Sequence, residues 1–340
     1  MGFSPPEFGL KPNYEPVQSP DDQEQMTKDK QRTYAIIGTG AVGGFYGARL
    51  QQAGIEVHFL LNRDWEHVCE HGLVVESHEG NFTLPQVNAW RHTHDMPACD
   101  VVIVALKTTK NHLLPELLPP VVKPNGVILL LQNGLGAEPE AAKVFDSQTV
   151  MGGLSFICSN KIGPGHIRHI DYGAITLGEY APDYQAVGIT EKMEAIKSDF
   201  DAAKIPLFLE EDLLQARWKK LVWNIPYNGL SVVLDARTDE IMASPHTRQL
   251  AASLMQEVAA GAAACDRVIS DEFIAKMLEH TEKMKPYLTS MKLDFDRAHP
   301  LEVEAIFGYP LRMATSLGAD LPLISMLYHQ LKFIDQRLSA

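Results

Sequence analysis

The sequence predicts an α/β domain built on a doubly wound parallel sheet, followed by an all-helical domain. Three observations lead there. Continuous apolar runs such as Asp100–Leu106 (DVVIVAL) and Gly126–Leu131 (GVILLL) are what strands covered on both faces look like. Helical stretches separate these runs, and an alternation of strand and helix builds a parallel sheet. After about Glu211 the pattern changes: Leu213–Trp223, Ser244–Cys265, Asp271–Met284 and Leu301–Leu317 suit a helical period, and no further strand stands out.

Taken in order, residues 1–32 carry Pro5, Pro6, Pro12, Pro16 and Pro20 and then a polar stretch without periodicity, which reads as a flexible leader. Order begins at Thr33–Gly38 (TYAIIG), a short buried strand. A helix over Ala41–Gln52 follows, with Gly54 as its stop. Glu56–Leu61 is a second strand, and Asp64 is placed to cap the helix WEHVCEH behind it. Leu73–Ser77 and Asn81–Leu84 read as a strand pair around Gly80, with later strands at Val150–Ile157, Gly165–Ile170, Ala174–Glu179 and Ile205–Leu209. The boundary falls near Glu210–Asp212, which makes 33–210 the nucleotide-binding domain and 211–340 the helical one.

Bulk properties narrow the function classes. A hydrophobic fraction of 45% and a charged fraction of 21% describe a soluble globular chain. The net charge of −13 argues against a nucleic-acid or anionic-membrane surface, and an anionic substrate would need locally placed cations. No apolar run approaches the roughly 20 residues that span a bilayer. The N-terminus lacks a basic region followed by an apolar core, so no secretory signal is expected. Cys69, Cys99, Cys158 and Cys265 are widely spaced without a CxxC, which fits a reduced, cytoplasmic chain with inert thiols. His92-Thr93-His94 and His166-Ile167-Arg168-His169 lack a third spaced ligand, so they read as surface histidines and no metal is expected.

The first chemistry-bearing motif is Gly38-Thr39-Gly40-Ala41-Val42-Gly43, a GxGxxG that follows a strand directly and opens a helix. In that context Gly38 permits the tight turn, Gly40 lets the backbone approach a pyrophosphate, and Gly43 lets helix and strand pack closely. The helix N-terminus then offers N–H groups to the anion. This is a dinucleotide site, with a ligand-free Gly-rich turn as the bland alternative. The second strand ends in neutral Asn62 and basic Arg63, where an NAD site would have an acid, so a 2′-phosphate and NADP(H) are favoured. Asp64 leaves NAD as the second reading, although helix capping is its expected work.

Four further clusters carry polar residues. Lys107 lies just past the carboxyl end of a buried strand, the edge that lines the ligand crevice in open sheets. Gln132-Asn133-Gly134 ends the next strand, where Asn133 can make a turn or reach the crevice. In the segment from Arg217 to Asn228, Lys220, Asn224 and Asn228 recur every four residues, which stacks them along one side of a helix. Pro226 is expected to disturb this helix and Asn228-Gly229 to end it. The last cluster holds Ser290, Asp294, Glu302 and Glu304, and the two glutamates suit a helix start by charge alone.

Together these clusters resemble the ketopantoate reductases (2-dehydropantoate 2-reductases), from Thr33 to about Leu317 and on five ordered motifs. The resemblance implies a Rossmann-type N-terminal domain, an all-helical C-terminal domain and an active site in the cleft between them. It implies NADPH-dependent reduction of ketopantoate to pantoate, a step toward pantothenate and coenzyme A. The lysine of its W-x-K-L-x-x-N motif, the general acid, falls on Lys220. Asn224 and Asn228 match substrate-site residues, and Asn133 and Lys107 match cleft positions. Ser290 matches a carboxylate-binding serine, Glu302 the glutamate that contacts the substrate hydroxyl, and Asp294 a structural position.

Three departures stand against the pattern. Asn62 occupies the place of the cofactor-phosphate arginine, with Arg63 one position later; Asp296–Pro300 lacks the Gly-containing linker; and Tyr287 stands near a polar substrate contact. They keep open NAD as cofactor and a paralogous reductase of another 2-oxo acid. A non-catalytic NADPH-binding regulator would be marked by loss of Lys220 or Glu302, and both are present. The Ala-rich stretch Ala251–Ala264 suits either the core or a homodimer contact.

Overall fold

The computed structural model describes residues 31–145, 148–286 and 288–338. The expected leader up to residue 30 and Tyr287 lie outside the described residues. Two residues before Thr33 also contact the fold: Gln31 donates to Gly54 O at 3.1 Å and Arg32 to Asp199 Oδ2 at 2.6 Å.

The first α/β units are β1 (Tyr34–Ile37), α1 (Ala41–Gln52), β2 (Val57–Leu60) and α2 (Trp65–His71). There follow β3 (Leu73–Ser77), β4 (Phe82–Leu84), β5 (Asn88–Trp90), β6 (Cys99–Val104), α3 (Leu114–Leu117), β7 (Val122–Leu130) and α4 (Ala137–Ala142). Two long strands, β8 (Thr149–Gly163) and β9 (His166–Glu179), precede α5 (Glu191–Ala202) and β10 (Leu207–Leu209). All ten strands join one sheet in the order β4-β3-β9-β8-β7-β6-β1-β2-β5, with β10 paired to β9. The centre is parallel, as β1 pairs with β2 and β6, and β7 with β6 and β8. Only β3–β4 and β8–β9 run antiparallel. Its two faces are covered by separate apolar clusters, which is why β1 and most of β6 and β7 are apolar on both sides.

Two details differ from expectation. The segments Gly165–Ile170 and Ala174–Glu179 are one strand, because β9 passes through Tyr172 at φ +63° with register shifts against β8 instead of breaking. The short edge strand β5 was not anticipated, since three residues give too little pattern to see.

From Leu213 on the chain is helical: α6 (Leu213–Val233), α7 (Thr238–Ala243), α8 (Pro245–Ala264), α9 (Asp271–Lys283) and α10 (Ser290–Asp296). A π-turn (Glu304–Gly308) then leads into α11 (Tyr309–Ser316), and α12 (Pro322–Leu338) closes the described chain. These helices share a third apolar core. Helix α6 does not end at Asn228-Gly229 but runs on to Val233 through Pro226. Every residue from Asn224 to Val232 is buried, so packing on all sides offsets the backbone hydrogen bond that proline removes. Gly229 acts in close packing, not as a stop: a Cβ there would lie 2.4 Å from Leu327 Cδ2. In α8 one face, with Ala251, Leu254, Met255, Val258, Gly261 and Ala262, packs into the core, while Ala260 and Ala263 of the same stretch are exposed. No helix among the described residues is long and apolar enough to cross a membrane.

Candidate active site

A cavity of about 350 Å³, open to solvent on one side, lies where the carboxyl ends of the strands face α6, α9 and α10. One wall is the glycine turn. Gly38 sits at φ +104°, and a Cβ there would meet Leu106 N at 2.7 Å; one at Gly43 would meet Gly38 O at 2.4 Å. A side chain at either position would push the turn off the sheet. Around Gly40 a Cβ would meet nothing within 4 Å, so the backbone of the turn faces open space. Gly40, Ala41 and Val42 line the cavity, and the first-turn amides of α1 lack intrahelical partners. Thr39 turns its hydroxyl the other way, onto Leu60 O at 2.9 Å.

The end of β2 is arranged differently from expectation. Asp64 occupies the N-cap position of α2, but its side chain makes no cap bond. Its carboxylate instead pairs with Lys161 Nζ at 2.5 Å and accepts from Gly165 N at 3.1 Å. Burial would raise the Asp64 pKa, but these two partners hold it below the usual carboxylate value. Lys161 also donates to Thr39 O at 3.3 Å, so a cation that the sequence did not flag sits against the glycine turn. Its place depends on the β8–β9 hairpin folding over α1, and no local pattern announces that. Arg63 is exposed in the loop between β2 and α2.

Two lysines line the cavity. Lys107, past the end of β6, donates to Asp294 Oδ2 at 2.8 Å and lies 3.5 Å from Glu302 Oε2. Glu302 also accepts from the Thr108 amide and hydroxyl, both at 2.9 Å. Burial opposes the charge on Lys107, but Glu302 and Asp294 outweigh it and raise the pKa. Lys220, on α6, donates to Ser155 O of β8 at 2.8 Å. Burial first, and then the nearby Arg217, push its pKa down to about 7.

The other expected residues divide. Asn133, Asn224 and Ser290 line the same cavity as Lys107 and Lys220. Asn224 is 5% exposed and its Nδ2 has no hydrogen-bond partner in the structure. Asn228 does not join them: it is 1% exposed and its Oδ1 accepts from Met291 N at 3.3 Å, which fixes the start of α10. The reason is geometric, since a four-residue step on a helix of 3.6 residues per turn advances by about 40°, and two such steps carry the side chain off the cavity face. Glu302 is also absent from this wall; its carboxylate borders the neighbouring hollow and reaches the site through Lys107 and Thr108.

Sequence reasoning missed the group that holds the two halves of the site together. Arg217 is 1% exposed and Glu138 0%, and the two form a buried ion pair. Arg217 also donates to Gln132 O at 2.5 Å, beside Asn133, and Tyr184 donates to Glu138 Oε2 at 2.7 Å. Arg217 stands one turn before Lys220, so this pair ties the loop bearing Asn133 to the helix bearing Lys220. Strand β8 forms a second tie. Ser159 donates to Ala41 O at 3.0 Å and Ser155 O receives Lys220, so one strand touches both the turn and the lysine.

Comparison with known proteins finds matches to both domains. The family model "Ketopantoate reductase PanE/ApbA" matches residues 34–182, and its C-terminal counterpart matches residues 212–335. A 2-dehydropantoate 2-reductase from a Nostoc species is 61% identical over 307 residues, covering 90% of this chain and 96% of that protein. Among solved structures, 2-dehydropantoate 2-reductase from Geobacter metallireducens superposes with a TM-score of 0.85 at 40% identity, covering 88% of this chain and 99% of that one. The Methylococcus capsulatus enzyme gives 0.82 at 32% identity, covering 91% and 98%. With both domains matched and a relative at this identity, the chain belongs to the ketopantoate reductase family.

Proposed function

We propose that this protein reduces 2-dehydropantoate to pantoate with NADPH, using Lys220 as the proton donor. The observation that carries the reading is Lys220 itself, with a pKa near 7, on the cavity wall shared by the glycine turn, Asn224 and Ser290. The name of the relative at 61% identity supports the substrate. The turn fits a dinucleotide: its backbone faces open space at Gly40, and the first-turn amides of α1 face the same cavity. Ala105, Lys107 and Asn133 continue that wall along the sheet edge. NADP(H) is favoured over NAD(H) because the Asp64 carboxylate is committed to Lys161 and Gly165, while Arg63 is exposed at the end of β2.

The bound cofactor supplies a hydride to the carbonyl carbon. The residues of the chain do the rest. Lys220, held by Ser155 O, presents its ammonium to the carbonyl oxygen, stabilises the negative charge that develops there and transfers one proton to it. The neutral amine left behind regains its proton from solvent through the open side of the cavity. Asn224 offers an unpartnered amide, and Ser290 a hydroxyl, to the substrate carboxylate and neighbouring oxygens. Glu302 acts first as the anchor of the Lys107 loop. A direct bond to the substrate hydroxyl requires its carboxylate to exchange the Thr108 hydroxyl for that of the substrate. Asn228 serves by fixing α10.

The test follows absorbance of the nicotinamide while purified protein meets NADPH and ketopantoate, with NADH as control. Oxidation of NADPH that depends on ketopantoate is expected. NADPH binding without turnover of any 2-oxo acid would overturn the reading.

A further inference from the structure

One buried charged cluster has no task in the proposed mechanism: Arg217 of α6, Glu138 of α4 and Tyr184 from the segment before α5, exposed by 1%, 0% and 4%. Arg217 Nε donates to Glu138 Oε1 at 2.9 Å and Nη2 donates to the same oxygen, while the Tyr184 hydroxyl donates to Oε2 at 2.7 Å. The cluster grips both ends of the loop that carries Asn133. Arg217 Nη1 donates to Gln132 O at 2.5 Å, and Gly136 N donates to the Tyr184 hydroxyl at 3.1 Å. Strand β8 leaves room for it. A Cβ at Gly152 would lie 2.5 Å from Glu138 Oε1 and 3.0 Å from Arg217 Nη2, and three residues on, Ser155 O receives Lys220. Arg217 and Lys220 are thus laid along one strand, about one helical turn apart. Burying an ion pair adds little to stability, because taking both charges out of water costs about as much as their attraction returns. Apolar side chains of like volume would join the halves as well, so the charge itself points to a use.

We infer that Arg217 and Glu138 are positioning residues for the acid step: they fix Asn133 through its loop, and Arg217 sets a permanent positive charge behind Lys220, so that the ammonium gives up its proton more readily. The inference rests on the proposed role of Lys220 as proton donor. A guanidinium stays charged at every working pH, so the push on Lys220 is constant. Glu138 makes that guanidinium tenable, since an arginine at this depth without a carboxylate would be an uncompensated charge. Other charged and titratable groups share the cavity with Lys220. Lys219 is paired with Glu210, Lys107 with Asp294 and Glu302, and Lys161 with Asp64; Arg297, Cys158, Tyr172 and His280 complete the set. Against this background burial first, and Arg217 next, disfavour the charge on Lys220, and Glu302 favours it.

The experiment compares the wild type with Arg217→Lys and with the double variant Arg217→Met/Glu138→Gln, which leaves no charge buried alone. Two midpoints are read. One is the break in kcat/KM for ketopantoate with NADPH across pH. The other is the pH at which acetylation of Lys220 by acetic anhydride reaches half its maximal rate in the free protein, followed by mass spectrometry. In the double variant both midpoints are expected to rise by about half a unit or more, since the amine keeps its proton longer without the repelling charge. In Arg217→Lys the charge remains, so both should stay within about 0.3 unit, while kcat falls about tenfold because an ammonium lacks the fork that reaches Glu138 and Gln132 together. Midpoints unmoved in a double variant that still unfolds cooperatively in urea overturn the charge effect and leave the pair a structural one. An unchanged kcat in Arg217→Lys overturns the positioning of Asn133, and this arm decides even where the double variant fails to fold. A wild type that oxidises no NADPH with ketopantoate fails the reductase reading, whereas the labelling midpoints still decide whether Arg217 acts on Lys220.

Discussion

Lys107 and Lys220 stand on the same cavity, yet their surroundings drive them apart. Lys107 lies between two carboxylates, which raise its pKa and keep it a permanent cation. Lys220 has only a backbone carbonyl for a partner, and burial first, then the nearby Arg217, bring its pKa down to about 7. A fixed charge can hold a loop or meet an anion, but it is a poor proton donor near neutrality. A lysine poised near the working pH is suited to giving up its proton. In the proposed mechanism role follows environment, and the opposite shifts of the two lysines are the ground for assigning the acid step to Lys220.

The comparison can be broken most directly at Lys220. Lys220→Ala is expected to lower kcat by about 10²–10⁴-fold while NADPH affinity, read by fluorescence titration, stays within about twofold. An equal loss in Lys107→Ala would erase the distinction. The next effect concerns the ion pair that ties the Asn133 loop to the Lys220 helix. Arg217→Ala leaves Glu138 charged and buried, and should cost about 3–5 kcal/mol in urea unfolding. A cost below about 1 kcal/mol would mean that the ion pair does not hold the halves together.

A third prediction uses pH. The lowered pKa means that Lys220 is the charged acid below about 7 and loses its proton above it. Reductive kcat/KM should therefore be full on the acid side and fall about tenfold per pH unit above the break. Because Glu302 favours the charged form of Lys220, Glu302→Gln should move the break to lower pH. A break unmoved in that variant would detach Glu302 from the acid. The smallest effect is at the exposed Arg63. Arg63→Ala should raise the KM for NADPH by up to about fivefold and leave that for NADH unchanged, and equal changes would refute a 2′-phosphate contact.

How much of this was legible in the sequence depended on whether a signal was local. Strands β1, β6 and β7 and the turn at Gly38 announce themselves within a few residues, through apolar runs and glycine spacing. The four-residue step from Lys220 to Asn224 is also local, and both side chains meet the cavity. The same step extended to Asn228 fails because helical phase accumulates. Pro226 and Gly229 misled in the same region, since burial on every side of α6 overrides intrinsic preference. Asp64 has the right position for a cap but found stronger partners 97 and 101 residues away, at Lys161 and Gly165. Arg217 with Glu138, and Tyr172 with His280, join distant segments of chain; no window of sequence contains both partners.

The strand that touches both the turn and Lys220 has a consequence for what evolution or engineering can change. Between Ser155 and Ser159 the spacing is set by strand pitch, about 3.3 Å per residue, and not by the angle of a hinge. Loops elsewhere can lengthen without disturbing the site. One residue inserted into this stretch would turn every following side chain to the opposite face of the sheet and misplace the acid against the turn. The segment thus behaves as a gauge block: Ser155 contributes only backbone and its side chain can change, but the Ser159 hydroxyl and the length between the two cannot.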